Sequence, residues 1–231
     1  MLIQMEDVKK DYALGKTTVH AIRGITFSLE EGEFAVIAGP SGSGKTTLLN
    51  LMGLLDVPTS GKINFEGKDV SGLSEREATN IRKTRIGFIF QTFNLIPVLT
   101  AFENIELPLI LKGKKEKDRE KHTNRILKET GISDISSHKP DELSGGQRQR
   151  VAIARALVSG PDIVFADEPT ANLDSETGMQ IIKIMQKLNK TEGVTFVFST
   201  HDPRLFKIAG RRLELRDGRI VKDVIQNRNK K

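Results

Sequence analysis

Short apolar runs alternate along the chain with glycine, proline and charged clusters, and only a few stretches carry helical spacing. Phe34–Ala38 is apolar with β-branched members, is preceded by the turn Glu30-Glu31-Gly32, and predicts a buried strand. From 46 to 55 the apolar positions Leu48, Leu49, Leu51 and Met52 switch to helical spacing. Upstream, 2–8 and 19–29 predict strands, the second alternating in part, and 62–65 predicts a third ahead of Gly67. These imply a small antiparallel sheet beside the main one.

Ser74 followed by Glu77 is a capping-box pattern opening a helix over 74–83. Residues 86–90 predict a buried strand ending at Gln91. The stretch 92–110, interrupted by Pro97 and Pro108, predicts mixed loop and short helix. A charged amphipathic helix over 114–130 ends at Gly131. Leu143 to Gln147 opens a helix whose apolar and alanine positions run from Val151 to Val158. Residues 163–166 predict a strand, 175–191 a helix, 194–199 a strand ending near His201, and 211–221 a hairpin turning at Asp217-Gly218. Strands interleaved with helices give an α/β class, and no internal repeat appears.

Composition narrows the chemistry. A length of 231 residues suits one domain, here 1–225 with a basic tail at 226–231. The absence of cysteine excludes disulfides, a thiol nucleophile and Cys-bearing metal sites. His20, His122, His138 and His201 lack metal-ligand spacing. The N-terminus lacks the apolar core of a signal peptide, and no apolar run approaches the ~18 residues of a membrane span, so a cytoplasmic, soluble chain is expected. A net charge of +6 is compatible with nucleic acid, an anionic membrane or neither. Much of the excess sits at Arg228, Lys230, Lys231 and in 112–121, where Glu116, Asp118 and Glu120 interleave, which reads as a solvated helix face. One tyrosine and no tryptophan leave little surface for stacking bases, and no nucleic-acid partner is expected.

The candidate chemistry starts between the first buried strand and its helix, where Gly39 to Thr46 reads G-x-x-x-x-G-K-T. Gly39, Gly42 and Gly44 let the backbone curl with its N–H groups inward, making an anion nest to which the following helix adds its positive end. Lys45 then reaches β- and γ-phosphates and the Thr46 hydroxyl sits on Mg²⁺. Ser144 suits an N-cap, and Gly145 and Gly146 permit a phosphate to approach a second helix end. The strand at 163–166 delivers Asp167 and Glu168 at its carboxyl end, where ligands gather in open α/β sheets. Asp167 suits Mg²⁺ and Glu168 suits a proton acceptor for attacking water. Gln91 and His201, both at strand ends, could touch Mg²⁺, the water or the γ-phosphate.

In this order the motifs resemble those of the ATP-binding cassette (ABC) ATPases, the nucleotide-binding subunits of ABC transporters, over nearly the whole chain. Gly39, Pro40, Ser41, Gly42, Ser43, Gly44, Lys45, Thr46 and Thr47 look like the Walker A motif, and Gln91 like the Q-loop. Leu143-Ser144-Gly145-Gly146-Gln147 looks like the signature sequence, the run ending at Asp167 and Glu168 like Walker B with its catalytic glutamate, and Ala171 to Asp174 like the D-loop. His201 matches the switch histidine and Tyr12 the aromatic that stacks on adenine. The resemblance implies a P-loop NTPase fold with a RecA-like core, a small antiparallel β subdomain and an α-helical subdomain at about 92–160. It also implies ATP and Mg²⁺ as ligands, with Asp174 among the nucleotide-binding residues, and a head-to-tail homodimer in which Ser144 to Gln147 serve the opposite subunit's nucleotide.

Residues 53–61 and 87–109 are similar to the LolD- and MacB-like branch, which includes the division ATPase FtsE. Thr92-Phe93-Asn94 stands where LolD often carries a histidine-bearing segment, which points away from lipoprotein release itself. The branch implies a separate integral membrane subunit of the LolCE, MacB or FtsX type and a place on the inner face of the cell membrane. Two functions fit: an ATPase driving export or release, or an FtsE-like regulator that transports nothing. DNA-repair cassettes carry long coiled-coil insertions between Walker A and signature, and the interval 47–142 has no room for one. The apolar residues from Phe93 to Phe102 are the expected docking surface, with Leu99 and Phe102 as first probes.

Overall fold

The computed structural model describes residues 1–226; the basic residues Arg228, Lys230 and Lys231 lie outside the described part. Six strands form the central sheet: β3 (Phe34–Ala38), β6 (Ile86–Ile89), β7 (Ile163–Asp167), β8 (Thr195–Ser199), β9 (Arg211–Arg216) and β10 (Arg219–Ile225). Their order is β10-β9-β3-β8-β7-β6, parallel throughout except for the β9–β10 hairpin. A four-stranded antiparallel sheet, β2-β1-β4-β5, lies beside it, built from β1 (Ile3–Leu14), β2 (Thr17–Leu29), β4 (Ser60–Phe65) and β5 (Lys68–Asp69).

Why the parallel strands read as unbroken apolar runs is visible in the packing. Successive side chains enter different cores on the two faces of the sheet, as the two-residue period of a strand requires. Val36, Val164, Phe196 and Phe198 join one core with α3 (Ala101–Leu111), α4 (Glu116–Thr130), α5 (Gly145–Leu157) and α6 (Ser175–Glu192). Ile37, Phe165, Val197 and Leu213 join the other, with α1 (Lys45–Met52) and the antiparallel sheet. The remaining helices are α2 (Glu75–Arg85), capped by Ser74 and Glu77 as its sequence predicts, and the short α7 (Pro203–Ile208).

Two elements depart from expectation. The proline-bearing stretch after Gln91 contains an eleven-residue helix, α3, despite Pro108 inside it. A capping box at Thr100 and Glu103 nucleates it, and Ile105 and Leu109 anchor it in the core, together outweighing one missing N–H. Strand β1 runs six residues past the predicted Val8, with register irregularities where Asp7 takes φ +45°.

Candidate active site

Strands β3, β8, β7 and β6 are neighbours in the sheet and run the same way, so their carboxyl ends deliver the loop after Ala38, His201, Asp167 with Glu168, and Gln91 to one edge. A cleft of about 960 Å³ opens there, lined by Gly39, Pro40, Ser41, Gly42, Gly44, Lys45, Thr46, Thr47, Gln91, Asp167, Glu168 and His201 among others. These twelve positions, scattered over 163 residues, would not converge this way from local structure alone; the parallel pairing does it.

The loop geometry follows from its glycines. Gly44 caps α1 with φ +101°, and a Cβ there would lie 2.6 Å from the Ala21 carbonyl oxygen. A Cβ on Gly39 would come within 2.2 Å of the Leu215 carbonyl oxygen. Lys45 Nζ donates to the carbonyls of Gly39 and Pro40, both at 2.9 Å, which folds its ammonium back over the nest. Ser43 differs from its loop companions: its side chain is buried beneath the loop, not on the cleft wall.

On the opposite wall Thr46 Oγ1 donates to Asp167 Oδ2 at 2.9 Å. Hydroxyl and carboxylate oxygens side by side, with the Gln91 amide on the same cleft, are a hard-oxygen donor set that fits Mg²⁺, an ion that usually keeps several waters and takes one or two carboxylates. Glu168 is held from two sides. Thr200 Oγ1 donates to Oε2 at 3.1 Å, and His201 Nδ1 lies 2.9 Å from Oε1. A carboxylate only accepts, so this geometry places the imidazole proton on Nδ1. Glu168 takes φ +46°, a left-handed conformation fixed by its N–H donating to the Ser199 carbonyl at 2.8 Å. Strain of this sort in a non-glycine residue collects where side-chain aim matters.

The expected nucleotide residues outside the cleft fall into three places. Tyr12 is paired across the antiparallel sheet with Val19, a cleft-lining residue, while its hydroxyl donates to Asp56 Oδ2 at 2.6 Å. Burial and that hydrogen bond raise its phenol pKa. Ser144, Gly146 and Gln147 line a separate hollow that shares no residue with the cleft. There Ser144 caps α5 reciprocally with Gln147. Gly146 is needed for packing more than for open space, since a Cβ would meet Thr177 Cγ2 at 2.4 Å; Gly145 has room for one. Asp174 caps α6, accepting from the N–H groups of Glu176 and Thr177; the Thr177 hydroxyl first and then these N–H groups hold its carboxyl below the usual range.

Sequence reading missed the cleft's rim, Thr18, Val19, His20 and Arg23 from β2 and Asp217 and Gly218 from the hairpin turn, and it missed Thr200. Nothing local marked the rim: the start of β2, Thr17 to His20, is exposed, and its β1 partners Asp11 to Leu14 are half-buried or exposed as in any strand end. Of the proposed docking probes, Phe102 is packed against the core and Leu99 is half-buried, whereas Val98 is 73% exposed. Val98 is therefore the better probe. Beside it Phe93, Leu95, Pro97, Pro140 and Arg148 line a depression of about 270 Å³.

Comparison with known proteins agrees with this geometry. The family model described as ABC transporter matches residues 22–171. An ABC transporter ATP-binding protein of Methanocaldococcus jannaschii, MJ1508, is 47% identical over 95% of this chain and 98% of its own length. The macrolide export ATP-binding/permease protein MacB of Syntrophobacter fumaroxidans is 44% identical over 95% of this chain, which spans only 31% of that protein. A dimeric structure of the ATP-binding cassette MJ0796 in a post-hydrolysis state with ADP and Pi superposes with a TM-score of 0.91 at 43% identity, covering 98% of this chain and 99% of that one.

Proposed function

The chain belongs to the ABC transporter ATP-binding family, and from that premise we propose that it is the ATP-hydrolysing subunit that drives a separate integral membrane protein of the MacB type in export or release. The observation that carries this is the convergence of Lys45, Thr46, Asp167, Glu168 and His201 on one cleft. MacB relatives support the branch, because there a segment matching this whole cassette is part of a longer chain named as a permease.

In the reaction, the N–H groups of the loop 39–44 and Lys45 hold the β- and γ-phosphates by charge-assisted hydrogen bonds. Thr46, Asp167 and Gln91 would hold Mg²⁺, which when bound neutralises phosphate charge. Glu168 accepts the proton of the attacking water while Thr200 and His201 fix its two oxygens. His201 Nε2 is left to orient the water or the γ-phosphate, and Tyr12 offers its ring to the adenine. Ser144 to Gln147 of a second copy, head to tail, closes the exposed side of the γ-phosphate, and Asp174 supports that contact by fixing the start of α6. The membrane subunit docks on the depression beside Val98, which places the complex on the inner face of the membrane; among the described residues no helix is long and apolar enough to cross one.

The test is the pair Lys45→Ala and Glu168→Gln. Lys45→Ala should lose ATP binding at least about tenfold. Glu168→Gln should still bind MgATP but release phosphate roughly 10²- to 10⁴-fold more slowly and accumulate as an ATP-bound dimer on size-exclusion chromatography. Near-normal phosphate release by folded Glu168→Gln would overturn the assignment.

A further inference from the structure

Helix α5 carries a cation that the reaction above does not use. The Arg155 guanidinium is half-buried, and its pKa is pushed below its ordinary value by burial, with no carboxylate contributing. Among the described residues its hydrogen bonds go to two backbone carbonyls: Nη2 donates to Phe93 O at 2.8 Å and Nη1 to Asn94 O at 2.5 Å. Both acceptor residues are left-handed, Phe93 at φ +62° and Asn94 at φ +48°. Asparagine tolerates that region, but for a bulky side chain it is an outlier that something must hold in place.

The surrounding bonds show what the conformation serves. Phe93 N–H donates to Phe90 O at 3.2 Å and Asn94 N–H to Thr92 O at 2.7 Å, closing a tight turn on the C-terminal side of Gln91. On Gln91 itself, the carbonyl accepts from Asn172 Nδ2 at 3.0 Å. Gln91 is thus fixed at its own carbonyl by the loop that follows Glu168, and two and three residues later by the helix whose other end is the Ser144 cap. Arg148, about two turns nearer that cap, lies over the Phe93 ring at 5.7 Å.

We propose that Arg155 is a positioning residue for hydrolysis: its two carbonyl bonds hold Phe93 and Asn94 left-handed, so that Gln91 stays aimed into the cleft and follows any movement of α5. The charge suits the task, because a guanidinium presents paired N–H groups in a rigid fork that a lysine cannot copy. Without it, Phe93 relaxes to an ordinary backbone conformation and the turn after Gln91 loses its register. The proposal rests on the hydrolytic reading above.

The experiment compares wild type, Arg155→Met and Arg155→Lys for MgATP turnover, for ATP affinity by titration, and for amide hydrogen exchange over 90–99. Arg155→Met should exchange at least about tenfold faster at Phe93 and Asn94 and lose about tenfold or more in kcat, with KM and ATP affinity within about threefold. Arg155→Lys, with one donor head for two carbonyls, should fall between. A purely structural role would lower the melting temperature but leave kcat and local exchange of the folded protein unchanged, and that result overturns the proposal. So does a loss of turnover matched by lost ATP affinity. Should Arg155→Met not fold, Arg155→Lys and Arg155→Gln carry the same comparison. Absence of wild-type turnover would instead overturn the hydrolytic reading, which keeps the two failures distinct.

Discussion

Thr200→Val isolates a contact that no motif predicts. Thr200 is fully buried, its hydroxyl donates to Glu168 Oε2 at 3.1 Å, and the same oxygen accepts from the Asp202 N–H at 3.0 Å. Valine keeps the shape and removes both bonds. A buried donor left unpaired costs about 1–3 kcal/mol, so a loss of about 2 kcal/mol is expected, which in a domain of this size lowers Tm by about 4–8 °C. Glu168 keeps only the His201 contact and its aim loosens. A tenfold fall in turnover corresponds to about 1.4 kcal/mol, within the value of one hydrogen bond to a charged group. Thr200 does not line the cleft, so ATP affinity should stay within about twofold. Circular-dichroism melting, phosphate release and ATP titration read the three quantities. Thr200→Ser, which retains the hydroxyl, should keep wild-type turnover. A folded Thr200→Val protein with unchanged turnover would refute the argument that this hydroxyl positions Glu168.

Asp202 supplies a pH test: burial opposes its ionisation, but hydrogen bonds from Arg204 and Thr170 prevail and hold its carboxyl below the ordinary range. Its contribution is therefore present above the unfolded pKa and lost as pH falls through the lower folded value, so Asp202→Asn should reduce Tm at pH 7 and flatten its decline below about pH 4. An unchanged Tm–pH slope would count against this. Val98→Asp should abolish capture of the membrane subunit in a pull-down while ATP affinity of the isolated protein stays the same; retained capture moves the docking surface elsewhere. Gly146→Ala should cost about 1–3 kcal/mol in chemical denaturation through its clash with Thr177, and Gly145→Ala well under 1 kcal/mol. Equal costs would sink that distinction.

These residues also show where the sequence was informative. That the loop 39–46, Asp167 and Glu168 meet at one cleft was legible because each position has a local chemical reason: glycine for a left-handed turn, a lysine at the start of a helix, carboxylates at the end of an apolar strand. Strand positions were legible because a sheet covered on both faces leaves unbroken apolar runs. The helix within 92–110 was legible only as a short one, since Pro108 argues against its continuation locally and only burial of Ile105 and Leu109 carries α3 through it. Nor could Thr200 or Arg155 be found, because their partners lie 32 residues away for Thr200 and 61 and 62 for Arg155, and nothing local in their own segments points to them. Gly146 was read as an opening for phosphate; the fold adds a second reason for glycine there that the sequence did not show, since a Cβ would meet Thr177 Cγ2 at 2.4 Å.

The division of the candidate residues between two cavities bears on how the cleft closes. At the start of α5 the Ser144–Gln147 capping box occupies the N–H groups of Ser144 and Gln147 and leaves those of Gly145 and Gly146 as the unpaired donors of the first turn. Ser144, Gly146 and Gln147 line a hollow that shares no residue with the cleft of the same chain, so one copy cannot bring both phosphate-binding ends to a single nucleotide without rearranging. Two copies head to tail, as proposed above, can, and would form two equivalent sites. Gly145 lies against Leu173, where a Cβ would sit 3.6 Å away, and Leu173 belongs to the loop that begins at Glu168. In that proposed arrangement each chain would tie the donor end it lends to one nucleotide to the carboxylate it applies to the other. Closure at one site should then be felt at the second through residues 168–174 and not through the sheet.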